Sequence, residues 1–110
     1  MSHMSALDSR IVQEIVTRLT EVSAPERIII FGSGATGRMT RDSDVDLLVV
    51  EPEVLDPRQE SRRLRDALAG LGVPFDVIVM SRDRFEETKG VIGGIAYPAN
   101  KYGTVLYEAA

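Results

Sequence analysis

IIIFGSGATGRMTRDSDVDLLVV, Ile28 to Val50, is the stretch whose reading decides the fold. An apolar run, buried on both sides by its composition, enters a glycine-serine turn, and a second apolar run opens with two aspartates. Backbone N–H groups at such a turn can close around a phosphate. In a strand successive side chains alternate faces, so Asp44 and Asp46 share one face with α-carbons about 7 Å apart. Phosphate and a hard divalent cation are the occupants this pairing suits.

Three readings of the glycines demand different neighbours. Gly32, Gly34 and Gly37 satisfy G-x-G-x-x-G after a strand, the dinucleotide-binding fingerprint, and Glu51 could then serve as the ribose acid. Only seven residues separate Gly37 from Val45, however, whereas a parallel crossover takes a dozen or more. A Walker A loop needs Lys and Ser/Thr after its last glycine, where this chain has Arg38 and Met39. The third reading uses Gly32-Ser33 alone as the phosphate turn and joins it, across ten intervening residues, to Asp44-x-Asp46. It predicts strands that a short connection can link.

An isolated D-x-D is ordinarily strand-entry chemistry. Asp76 changes the weighting: it enters a further apolar strand, Phe75 to Met80, in the same manner, with Ile78 and Met80 following on its face. A third acid at a strand start suits a metal site, or a general base toward an attacking hydroxyl.

Around this centre the pattern is that of an α/β (α+β) protein: a small mixed sheet flanked by helices. Leu7, Ile11, Ile15 and Leu19 recur at helical spacing, predicting a helix over 5–22 with Ser5 and Asp8 as a capping box. Arg27 to Phe31 and Val45 to Val50 read as strands, and Asp56-Pro57 as the start of a helix whose inner face carries Leu64, Ala67, Leu68 and Leu71. Ser81 to Glu87 reads as a short helix and Thr104 to Tyr107 as a last strand; the glycine-rich tract to Gly94 fits neither pattern.

The 110 residues predict one domain spanning 1–110, with 1–4 (Met-Ser-His-Met) as an added or disordered N-terminus, and leave His3 without a role. The net charge of −4 does not advertise nucleic acid, and the absence of cysteine excludes disulfides and Cys-ligated zinc. No run reaches membrane-span length and no signal peptide is present, so a soluble cytoplasmic protein is expected.

Gly32-Ser33, Asp44-x-Asp46 and Asp76 together resemble the signature of the DNA polymerase β-like nucleotidyltransferase superfamily, and the chain length resembles its minimal nucleotidyltransferases. That resemblance implies the palm-like nucleotidyltransferase fold, and phosphate binding by Gly32 and Ser33, with Arg38 or Arg41 left to supply a positive charge to the leaving pyrophosphate. It implies divalent metal, two Mg²⁺ ions, on Asp44 and Asp46, and a third carboxylate, Asp76, that assists the metal or deprotonates the acceptor. Close relatives often read Gly-Ser-x-Ala-Arg-Gly, and Thr36 stands here where their arginine falls. The implied reaction moves a nucleoside monophosphate, AMP from ATP, onto a hydroxyl. The implied acceptor is a HEPN-domain toxin partner, with this chain as antitoxin; self-association would supply a second route to an acceptor surface. The alternative is a catalytically weak nucleotide- or metal-binding module that neutralises or scaffolds a partner by contact.

Overall fold

The computed structural model describes residues 9–32 and 44–110. Its elements are α1 (Ser9–Val22), β1 (Arg27–Phe31), β2 (Val45–Glu51), α2 (Pro57–Ala67), β3 (Phe75–Ser81), α3 (Arg82–Thr88), α4 (Ala96–Tyr102) and β4 (Thr104–Glu108). One four-stranded sheet runs in the order β3-β2-β1-β4. β1 pairs antiparallel with both β2 and β4, while β2 and β3 are parallel. The connection after β1 therefore links antiparallel strands, and the parallel crossover falls where the chain has α2 to make it. The ribose-acid reading of Glu51 fails with the dinucleotide fold.

Two apolar clusters sandwich the sheet. Val45, Leu47 and Val49 of β2 and Val77 and Val79 of β3 face Ile15 and Leu19 of α1 and Leu64 and Leu68 of α2. Leu48 and Val50, with Met80, Ile29 and Phe31, face Phe85 of α3 and Ala96 and Ala99 of α4. β2 is thus anchored from both faces, each fully buried side chain contributing about 1.5–3 kcal/mol. That anchorage fixes the strand behind Asp44 and Asp46 at its solvent-facing end.

Local chemistry sets the helix ends. Asp56 caps α2 by accepting from the Gln59 N–H at 3.2 Å, with Pro57 at the first helical position. The helix stops at Ala67, short of the expected Leu71: Leu68 and Ala69 N–H groups turn back to Arg65 and Asp66 carbonyls, and Gly70 follows at φ +89°. Leu71 packs on the core from beyond the helix. Ser81 caps α3 through a bond from the Arg84 N–H at 3.2 Å. The expected α1 capping box at Ser5 and Asp8 lies outside the described residues. α4 matches no pattern in the sequence; it packs close to β1, where a Cβ built at Gly103 would collide with the Ala99 carbonyl and lie 2.6 Å from Ile29 Cγ2.

Candidate active site at the open end of the β1–β2–β3 ladder

β2 carries Asp46 between Phe31 of β1 and Asp76 of β3, each directly opposite it in the register. Asp44 precedes β2 by one residue and is exposed; Asp46 is half-buried, and Asp76 is exposed. The alternation predicted from sequence holds: Asp46 shares its face with Leu48 and Val50, and Asp76 with Ile78 and Met80. The parallel register brings together two acids thirty positions apart in the chain.

Burial pushes the Asp46 carboxyl above the usual carboxylate range, and the negative charges of Asp76 and then Asp44 push it further. An added cation would relieve the negative field that Asp76 and Asp44 set up at Asp46. Gly32, the first residue after β1, holds φ +71°, and a Cβ built there would lie 2.5 Å from Asp46 Oδ2. Both the backbone conformation and the space demand glycine. The turn and the carboxylate therefore touch, so a phosphate at the turn and a cation at the acid would be immediate neighbours.

The donor set suits a hard cation such as Mg²⁺, which prefers a few carboxylates plus phosphate oxygens and water. Among the described residues, no group of three or more His, Cys, Asp or Glu side chains is drawn together tightly enough to enclose a metal ion. The carboxylates stand at an open rim, Asp44 and Asp76 exposed and Asp46 half-buried. Ser33 and Arg38, the other expected phosphate ligands, lie outside the described residues, as do Thr36 and Arg41.

The opposite end of β2 carries an acid whose environment the sequence reading did not foresee. Glu51 is 7 % exposed, with no hydrogen-bond partner for Oε2 among the described residues. Burial, then hydrogen bonding to Glu60 and that group's charge, raise its pKa to about 7. Arg63 grips Glu60 through two bonds, of 3.0 and 2.8 Å, and donates to the Val22 carbonyl at 2.5 Å. The signal was present: Glu51 continues the odd-numbered face of Val45, Leu47 and Val49, which points at α1 and α2. A cavity of about 350 Å³ opens there, lined by Glu51, Glu53, Asp56, Glu60 and Arg63 among others; Asp44, Asp46 and Asp76 do not line it.

Comparison with known proteins bears on the fold and the family. The family model of the nucleotidyltransferase domain matches residues 9–97. The chain belongs to that family, as a minimal nucleotidyltransferase of the polymerase β-like superfamily. Such enzymes transfer nucleoside monophosphates and generally depend on a divalent metal. A similar fold occurs in a crystal structure at 1.40 Å of a Sulfolobus solfataricus protein assigned by inference as a nucleotidyltransferase. It superimposes with a TM-score of 0.53 at 20% identity, over 97% of this chain and 90% of that one. A search of curated proteins finds no match. Among the described residues no helix is long and apolar enough to cross a membrane.

Proposed function

We propose that this chain is a cytoplasmic enzyme, a single nucleotidyltransferase domain over 1–110, that moves AMP from ATP to a hydroxyl acceptor on a HEPN-domain partner, as an antitoxin. The contact of the Gly32 turn with the Asp46 carboxylate, seconded by Asp76 in register, is the observation that carries the reading. In this scheme Gly32, Ser33 and Arg38 receive the triphosphate, and Asp44, Asp46 and Asp76 hold Mg²⁺, as one ion or two. Bound metal would supply charge stabilisation for the attacking and departing oxygens. The acceptor oxygen forms a bond to the α-phosphorus, the α–β bridging P–O bond breaks, and pyrophosphate leaves. Asp76, exposed at the rim, takes the hydroxyl proton. The chain's contribution is orientation and a preorganised anionic rim rather than covalent chemistry.

The test is to incubate the protein with Mg²⁺, each α-labelled nucleoside triphosphate in turn and a HEPN-domain protein encoded beside it. Label should pass from ATP to the partner and vanish in Asp44→Ala/Asp46→Ala. Partner binding without transfer, unchanged by that double substitution, would sink the enzymatic reading in favour of a contact-only module.

A further inference from the structure

β3 ends the sheet on one side. No strand pairs with its outer edge among the described residues; there the Ser61 hydroxyl of α2 occupies the Val77 carbonyl, which points away from β2, and the two-residue period turns the Val79 backbone groups the same way. An edge left in this state is a template for another strand. Two cavities flank it and share Pro57, Ile78 and Val79.

The two cavities differ in character. One, about 340 Å³, lies on the α2 side and is lined by Arg58, Ser61, Arg62 and Arg65. The arginines fall at i, i+4 and i+7, one stripe of the helix. None of the three has an ion-pair partner among the described residues, whereas Arg63, on the next face, is held by Glu60. The other cavity, about 480 Å³, lies on the α3–α4 side and is walled by Ile78, Met80, Ile95 and Ala96, with Arg84 at its margin. Exposed Val91 and Ile92, 58 and 80 % accessible, lie on the connection that leads to Ile95.

We propose that the β3 edge is the docking site of an extended polypeptide segment in which acidic and apolar residues alternate. Laid beside β3, such a segment makes main-chain bonds to the edge and sends successive side chains to opposite faces. Carboxylates on one face meet Arg58, Arg62 and Arg65, and apolar side chains on the other fill the pocket beside Ile78 and Met80. The edge starts at Phe75 and Asp76, so a docked segment ends at the acidic rim. This last consequence rests on the proposed function; the docking does not.

Other occupants fit less well. A second copy paired edge to edge about a two-fold axis would set one arginine stripe against another. Nucleic acid would match the arginines, but the opposite wall is apolar and offers its backbone no partner.

The experiment uses a capped peptide of 7 residues, the length of β3, alternating aspartate and valine, with a lysine–valine peptide and a single-stranded oligonucleotide as comparators. Amide resonances of the ¹⁵N-labelled protein should shift along Val77 to Ser81 with the acidic peptide alone. Affinity should fall roughly tenfold in Arg58→Glu/Arg62→Glu/Arg65→Glu, whose exposed sites leave the core resonances in place, and fall again with added salt. Docking should survive Asp44→Ala/Asp46→Ala, which separates it from transfer. Equal binding of the lysine peptide, shifts away from β3, preferential binding of the oligonucleotide, self-association through the edge, or no binding would each overturn the proposal.

Discussion

β2 carries an acid of raised pKa near each end, and the two are compensated in opposite ways. Glu51 is enclosed: Arg63 neutralises its neighbour Glu60 and ties that helix to the end of α1. Asp46, half-buried beside Asp44 and Asp76, has no cationic side chain within ion-pair distance among the described residues. Buried charge is costly unless paired, so a charge left for an outside cation marks a place kept for a ligand, whereas Glu51, with no ion pair of its own among the described residues, keeps its proton to about pH 7 and sits in a joint braced by the neighbouring Glu60–Arg63 pair. The same strand thus separates a site from a strut.

The sharpest way to break this contrast is Asp46→Asn. Transfer activity should fall on the order of 10³-fold or more, since a metal ligand and the centre of the anionic rim are lost. Stability should hold or rise. Asp46's folded pKa lies above its unfolded value, so the ionised carboxylate opposes folding at neutral pH, and thermal melts of the variant should shift upward or not at all. A fall in melting temperature matching the loss of activity would make Asp46 structural.

The Glu51 end answers to pH. Folded Glu51 keeps its proton to about pH 7, while the unfolded side chain releases it near 4.5. Its stabilising contribution is complete below the unfolded value and is lost as pH rises through about 7, at up to about 1.4 kcal/mol per pH unit. Denaturant titrations across that window should show the slope, and Glu51→Gln, uncharged throughout, should flatten it. Glu60, its carboxyl held low by hydrogen bonding to Arg63, acts in the reverse sense and only below its unfolded value near 4.5.

Smaller effects sharpen the comparison. Arg63→Ala removes both bonds to Glu60 and the tie to Val22, and should cost about 1–2 kcal/mol with transfer intact. Gly32→Ala should cost about 1 kcal/mol from its left-handed backbone. Its activity loss should exceed that, because the new methyl displaces the Asp46 carboxylate; a variant as active as the parent would show that turn and acid need not touch.

Periodicity and spacing made much of this legible. The seven residues between Gly37 and Val45 left little room for a helix after the glycines, and β1 and β2 are antiparallel. Alternation placed Asp46 and Asp76 on faces that the parallel register then aligned, a juxtaposition no local pattern encodes. α4 was hidden because Gly90, Gly93 and Gly94 precede it and Pro98 sits within it; proline is tolerated in a first turn, where its missing N–H would be unbonded anyway. Glu51 was visible as a strand-ending acid, but its burial depends on Glu60 and Arg63 arriving from another element. The arginines of α2 read as a solvated face, since one sequence does not reveal that they border an unpaired edge.

β4 has a further consequence. It pairs with β1 from the far end of the chain, Arg27 against Glu108, and much of it is exposed. The β1–β2 pair and the β2–α2–β3 unit close over much shorter loops, so they can assemble first. β4 then joins as the latecomer: substitutions in it should quicken unfolding while leaving the folding rate almost untouched.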